Sequence, residues 1–285
     1  MIKAKSFAKL NLGLHIIPKK MKNRHYTVNF INCKINIYDK ISYECANKII
    51  FKCNNLKIPT DDSNLIIKTA NLLKDFSNKK NLGVKIILNK KIPITGGFSG
   101  GSSNAATTLK CLSKLWNIEI SNKKSFKLAS FLGRDVFYNL VGGLCEIKGD
   151  GNIVKKLQFS LPILWLVIII PNQIKPSTKY MYENVDIKKI GRNLNKIVKL
   201  KNAINSKNVD KILNNLHNDF EYSVEKLFPV VLKAKNDLIL NNAKKTLLAG
   251  SGLSVVGFFK SKIAAKAAYK NLKKVYNNTL LTHTL

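Results

Sequence analysis

The chain has 285 residues, of which 45% are hydrophobic, enough to bury a real core in one large domain or two ordinary ones and too many for a chain disordered throughout. Its formal charge of +33 comes almost wholly from lysine, since Arg24, Arg134 and Arg192 are the sole arginines, whereas contacts that read phosphates and bases favour the arginine fork. The lysines form no single basic block, which argues against specific nucleic-acid binding and for a solvated surface whose summed field draws in anionic substrates.

The longest apolar run, Leu161–Pro171, is well short of the ~20 residues that a membrane helix requires. We expect no membrane contact and a buried central strand at that place. Lys9 and Asn11 interrupt the apolar N-terminal stretch and no small-residue cleavage site follows, so it reads as a mature strand with no targeting segment. Cys33, Cys45, Cys53, Cys111 and Cys145 are odd in number, scattered and never spaced CxxC. They read as reduced thiols of a cytoplasmic protein.

In chain order, Phe7, Leu10, Leu12 and Leu14 alternate with polar or small residues in strand fashion, and Ile31–Tyr38 does the same. Ile49–Cys53 and Val84–Leu88 are two further β-rich runs. Between them Asp62, Ser63 and Asn64 precede Leu65, Ile66, Ala70 and Leu73, the mark of a capped amphipathic helix. Ala105, Ala106, Leu109, Leu112, Leu115 and Trp116 then recur at helical spacing, so a helix opens near Ser102, and another runs from Ser125 to Leu132 and stops at Gly133. Gly142, Gly143, Gly149 and Gly151 punctuate two short strands, and a domain boundary falls near residue 155. The second half begins with a strand over Leu164–Ile170 and continues through helices around 175–183, 193–204, 207–216 and 226–240. A strand, a glycine turn and a strand follow over 247–259, and a helix over Lys262–Val275 is expected to end the domain. Strands and helices without strict βαβ alternation indicate the α+β class.

The densest chemistry lies in PITGGFSGGSSNAA, residues 93–106. Four glycines there cost chain entropy that a mere connector has no need to lose, about 0.5 to 1 kcal/mol each relative to alanine. Backbone amides without Cβ atoms curl around an anion, and the N-terminus of the following helix adds unpaired N–H donors and a positive dipole end. Ser99, Ser102 and Ser103 supply hydroxyls for phosphate oxygens or a phosphate-bound metal. The segment is neither a Walker A loop nor a GxGxxG turn in a βαβ unit. The plainer alternative is a tight turn with a serine-capped helix.

This stretch resembles the phosphate loop of the GHMP small-molecule kinases, whose general form is P-x-x-x-G-L-G-S-S-A-A. Three other stretches agree in the order that family keeps them: Ala8 to Leu12, reading A-K-L-N-L; Gly133 to Val136, beside its G-A-D-V; and Gly250-Ser251-Gly252 inside LLAGSGLSVVGFF. Weaker echoes are Pro59 to Leu73, Pro176-Ser177-Thr178 and Asn218 to Glu221. The resemblance covers nearly the whole chain. It implies the two-domain α+β GHMP kinase fold, with an N-terminal ribosomal-protein-S5-domain-2-like α+β domain over 1–155 carrying the ATP-phosphate loop and a C-terminal ferredoxin-like α+β domain over 156–285.

The extra glycine in G-G-S-S before Asn104 points to the branch that acts on a cytidine diphosphate-linked polyol in the non-mevalonate isoprenoid route. The implied reaction moves the γ-phosphoryl group of ATP, carried with Mg²⁺, to a substrate hydroxyl. Lys9 and Asp135 fall on the family's catalytic pair. The ATP contacts fall on Pro93, Gly96, Gly97, Phe98, Ser99, Gly100, Gly101, Ser102, Ser103 and Asn104. The substrate contacts fall on Asn11, His25, Tyr26, Ser177, Thr178, Gly250, Ser251 and Gly252. The roles make chemical sense independently: an alcohol is a poor nucleophile at neutral pH, so a fixed carboxylate takes its proton while a nearby ammonium offsets charge on the transferring group. Another GHMP kinase, of the homoserine or mevalonate type, and a nonenzymatic basic binding module on the same fold are the alternatives.

Several positions depart from the family. Asn23-Arg24-His25-Tyr26 replaces its D-G-Y-H with the two rings in reversed order, so either ring can stack on cytosine. Ser99 stands where the family usually has glycine, and Phe98 where it has leucine. His15, His217 and His283 show no ligand spacing and are expected to be structural, and no metal-ligand cluster is visible. Lys90 or Lys91 is a candidate contact to the nucleobase or ribose.

Overall fold

The computed structural model describes residues 1–20, 26–79 and 81–285. The chain divides into two compact units, each discontinuous: residues 1–8, 37–93 and 99–142 form the first, and 9–36, 94–98 and 143–285 the second. The elements run β1 (Ile2–Lys20), β2 (Tyr26–Cys45), β3 (Ile49–Cys53), α1 (Leu65–Ser77), β4 (Val84–Asn89), α2 (Gly100–Leu115), α3 (Asn122–Leu132), α4 (Arg134–Val141), β5 (Cys145–Gly149), β6 (Ile153–Lys156) and β7 (Trp165–Ile169). They continue with α5 (Thr178–Glu183), α6 (Asn195–Asn205), α7 (Val209–Asn215), β8 (His217–Asn218), α8 (Glu221–Leu227), α9 (Pro229–Leu240), β9 (Lys245–Leu248), β10 (Val255–Phe259), α10 (Lys262–Leu272) and β11 (Thr279–His283).

In the first unit β3 lies parallel to β4, and β4 pairs antiparallel with Lys40–Cys45 of β2. Helix α1 starts where its cap predicts, for the Asn64 side chain accepts a hydrogen bond from Ile66 N at 2.9 Å. Tyr43 of β2 and Thr108 of α2, both fully buried, satisfy each other at 2.9 Å, so sheet and loop helix share a polar pin inside an apolar contact.

In the second unit Val28–Asn32 of β2 pairs antiparallel with β5, which pairs with β6, and Gly13 and Leu14 of β1 lie parallel to β8. A separate four-stranded sheet has the order β11-β7-β10-β9 with every neighbour antiparallel. This is the ferredoxin-like order, and β7 is the central buried strand that its apolar run predicts. Val167, Ile169, Leu248 and Val255 pack there with Leu238 of α9 and Ala265 and Leu272 of α10.

Three sequence expectations need correction. The helix expected over 226–240 is two, because Pro229 lacks an N–H and turns the preceding Phe228 to φ −134°, ψ 80°. The chain does not finish on a helix: Thr279–His283 forms β11 beside β7, a short strand hidden by its Thr and His content. Residues 134–141, read only as a motif after Gly133, form the short helix α4. Among the described residues no helix is long and apolar enough to cross a membrane.

Candidate active site

Strand β1 alternates as a strand must, with Leu10, Leu12, Leu14 and Ile16 on one face and Lys9, Asn11 and His15 on the other. Both faces are buried: Lys9 is 5% exposed, Asn11 1% and His15 0%. A buried row of polar side chains needs partners. Lys9 Nζ donates to Asn11 Oδ1 at 2.5 Å, and Asn11 Nδ2 donates to Asn32 Oδ1 at 2.6 Å. Asn32 therefore orients Asn11, which orients the ammonium.

The glycine-rich loop divides between the units: residues 94–98 belong to the second and 99–104 to the first. In the second unit the Phe98 carbonyl accepts Lys9 N at 3.1 Å, and Phe98 itself is buried. A methyl group on Gly97 would fall 1.9 Å from the Ala249 carbonyl oxygen, and one on Gly252 2.7 Å from the Gly96 carbonyl carbon. These two glycines thus let the loop and the Gly250–Gly252 turn meet backbone to backbone, a packing duty that motif reading assigns to ligand approach. The position of a Cβ on Gly250 lies 3.2 Å from Asn11 Oδ1, 3.2 Å from the Gly97 carbonyl and 3.4 Å from Lys9 Nζ. Lys9, Asn11, the front of the loop and the C-terminal turn accordingly converge. Asn218 fixes that turn by donating to the Gly250 carbonyl at 2.7 Å and to the Leu248 carbonyl at 2.9 Å.

The turn also meets the Pro176 segment. Lys175 Nζ donates to Ser251 Oγ at 3.0 Å, to the Ser251 carbonyl at 2.9 Å and to Thr178 Oγ1 at 3.1 Å. Ser177 caps α5, accepting from Tyr180 N at 2.9 Å. Lys175 carried no motif signal, and neither did Tyr182, whose ring stands 6.1 Å from that of Tyr26 with 20° between the planes. His25, with Asn23 and Arg24, lies outside the described residues.

In the first unit α2 begins at Gly100, and its first backbone bond runs from Ser103 N to the Ser99 carbonyl at 2.9 Å. The amides of Gly100, Gly101 and Ser102 precede that ladder, as anion binding at a helix start requires. Gly101 is exposed and Ser102 half-buried, and Pro93 is half-buried as well. Ser103 is different: it is buried, and its hydroxyl donates to the Phe7 carbonyl at 2.7 Å while accepting from Ser6 Oγ at 2.9 Å. Its hydrogen is committed to β1, so the hydroxyl donors of the loop are Ser99 and Ser102. Asn104 is buried with an Oδ1 that has no hydrogen-bond partner. Asp135 is half-buried in the first turn of α4.

Lys90 is not free to reach a nucleotide. Its Nζ lies 2.7 Å from Asp39 Oδ2 and 2.7 Å from the Ile92 carbonyl, while Asp39 Oδ1 accepts Lys91 N and Ile92 N. Burial lowers the Lys90 pKa and the Asp39 carboxylate opposes that shift. A methyl group on Gly100 would come within 2.9 Å of Lys90 Nζ, so the ion pair supports the start of α2.

Two of the histidines expected to be structural, His15 and His217, lie together. His15 stacks on His217 with centroids 4.6 Å apart and 25° between planes, and His217 Nε2 lies 2.6 Å from Asp219 Oδ1. Ligand atoms of all three lie within 4.8 Å. Rings so nearly parallel cannot both aim lone pairs at one ion about 2 Å away, and Asp219 Oδ2 already accepts Ile16 N at 2.7 Å and Gly191 N at 3.0 Å. The trio ties β1, β8 and residue 191 together. Burial holds the His15 imidazole down to about 4, with His217 pushing the same way, Asp219 opposing and Lys196 adding to the fall.

Residues 64–145 match the GHMP kinases N terminal domain. Proteins named 4-diphosphocytidyl-2-C-methyl-D-erythritol kinase are similar along their whole length. That of Thermoanaerobacter pseudethanolicus is 32% identical, covering 100% of this chain and 96% of the relative. That of Clostridium perfringens is 35% identical over 100% and 98%, and that of Chlorobium chlorochromatii 35% identical over 98% and 96%. A solved 4-(cytidine 5'-diphospho)-2C-methyl-D-erythritol kinase superposes with TM-score 0.84 over 99% of each chain at 24% identity, and a homoserine kinase from Cytophaga hutchinsonii with TM-score 0.76 over 100% and 94% at 16% identity. These two establish the fold, the two-domain α+β arrangement of GHMP kinases.

Proposed function

Because the chain belongs to the 4-diphosphocytidyl-2-C-methyl-D-erythritol kinase family, a branch of the ATP-dependent GHMP kinases, we propose that it transfers the γ-phosphoryl group of ATP to the C2 hydroxyl of that cytidine diphosphate-linked polyol. The reaction is a step of non-mevalonate isoprenoid synthesis. The observation that carries this reading at residue level is the convergence of Lys9 Nζ, Asn11 Oδ1 and the Gly97 carbonyl around Gly250. It gives the polar face of β1 a task that burial alone leaves unexplained.

The amides of Gly100, Gly101 and Ser102 and the hydroxyls of Ser99 and Ser102 hold the triphosphate, and the dipole of α2 favours its charge. The hydroxyl oxygens of Ser99 and Ser102 are hard donors that would suit the Mg²⁺ accompanying ATP, and that ion would spread the charge of the triphosphate. Asp135 takes the proton of the attacking hydroxyl. Lys9, one of whose three donors goes to Asn11, steadies the substrate and the developing negative charge. Tyr26 and Tyr182, with ring centroids 6.1 Å apart and 20° between the planes, border the cytosine and offer it an aromatic face. Ser177, Thr178 and Ser251, joined through Lys175, border the polyol. We place the domain boundary near 155, which is supported by the second sheet drawing every strand from residues 165–283.

Labelled ATP with the cytidylylated methylerythritol and its uridylyl analogue tests the assignment. We expect ATP-dependent phosphorylation of the former with a preference of at least ~10-fold, the range set by lost base-edge hydrogen bonds. Equal turnover of the two, or turnover of homoserine or mevalonate in their place, contradicts it.

A further inference from the structure

Ser99, immediately ahead of α2, has φ 56° and ψ 35°, the left-handed region in which a Cβ is strained. A serine before a helix ordinarily offsets this by accepting from an amide of its own first turn, yet Ser99 makes no such bond. Its Oγ instead accepts from Asn139 Nδ2 at 3.2 Å, and the same amide nitrogen donates to the Asp135 carbonyl at 2.8 Å. Asn139 is 8% exposed, so its two donated bonds are shielded from water. A second tie joins the same helices: Lys110 Nζ of α2 donates to the Leu140 carbonyl near the end of α4 at 2.6 Å.

We propose that Asn139 is a positioning residue for phosphoryl transfer, a latch that holds Ser99 in its left-handed turn and registers the anion-binding start of α2 against the turn of α4 that carries Asp135. The inference rests on the reading of the loop as an ATP-phosphate site and of Asp135 as the base. It adds a constraint that neither implies. The amides of Gly100 to Ser102 follow Ser99 directly along the chain, so their direction depends on the Ser99 dihedrals. One side chain thereby sets both the phosphate end and the base end of the first unit.

The latch is needed because residue 99 carries a Cβ. With glycine there the turn is conformationally permitted without help, and the dependence on Asn139 should fade. The test is a double-mutant cycle of Asn139→Leu and Ser99→Gly, read as kcat and KM for ATP on the full chain, with equilibrium binding of a nonhydrolysable ATP analogue alongside. We expect Asn139→Leu to lower kcat/KM about tenfold in the native background and less than about threefold in the Ser99→Gly background, a coupling within the range seen for contacting residues. Asn139→Ala, which removes the same donor with a smaller side chain, should lose as much as Asn139→Leu and serves if the latter does not fold, whereas Ser99→Ala, which also removes a hydroxyl assigned to the triphosphate, should lose at least as much. Equal losses in both backgrounds, or a lowered melting temperature with kcat/KM unchanged, would overturn the latch. Native protein that does not bind the analogue indicts the phosphate-loop reading, whereas analogue binding with additive variants overturns the latch alone.

Discussion

At the scale of single residues, burial decides which charged groups serve chemistry and which serve the fold. The side chains of Lys9 and Lys90 are both shielded from water and held by oxygen partners. Lys90 is neutralised by a carboxylate, Asp39, whose side chain is 0% exposed. Lys9 donates to a neutral amide, that of Asn11. Charge pairing thus marks Lys90 as structural. Replacing Lys90 with Met should cost about 3 kcal/mol, because removing one partner strands the other charge in the interior. Urea unfolding measures it, and a loss under about 1 kcal/mol, the worth of an exposed pair, contradicts the assignment. Motif reading singled out Lys9 because A-K-L-N-L is local. It missed the Lys90 pairing, which needs a carboxylate 51 positions away, and it missed Tyr182 and Asn139, whose partners lie on other elements.

At the scale of elements, period and caps were legible where local physics dominates. The alternation of β1, the Asn64 cap of α1 and the apolar run of β7 all lie where the sequence puts them. Elements determined by tertiary pairing were not. Strand β11 is five residues with two threonines and a histidine, a weak signal until β7 offers it a free edge. Helix α4 is eight residues between Gly133 and Gly142, too short to announce itself by periodicity. The glycine density of the loop was read as backbone approach to a bound anion. Part of it serves approach to the 249–252 backbone, which no local pattern encodes.

At the scale of the whole molecule, the chain crosses between its two units five times, along β1, along β2, on either side of residues 94–98 of the glycine-rich loop, and between Gly142 and Gly143. The second unit has a built-in pH dependence. His15 is held at about 4 against an ordinary 6.5, so between those values the unfolded chain binds a proton that the folded chain refuses. Stability from this site is therefore complete above about 6.5 and falls progressively as the pH drops toward about 4. His217, Asp219 and Lys196 face His15 and remain in a His15→Phe variant. Unfolding free energy followed from pH 7.5 to 4 should decline less steeply for His15→Phe than for the native chain; parallel profiles contradict this.

The account turns on Asp135 as the group that accepts the substrate proton beside a bound ATP. Single-turnover phosphoryl transfer with Asp135→Asn measures this most directly, with ATP affinity determined on the same protein. We predict a fall of ~10²-fold or more in the transfer rate with ATP binding retained within a few-fold. Transfer at near-native rate by the folded variant contradicts the account.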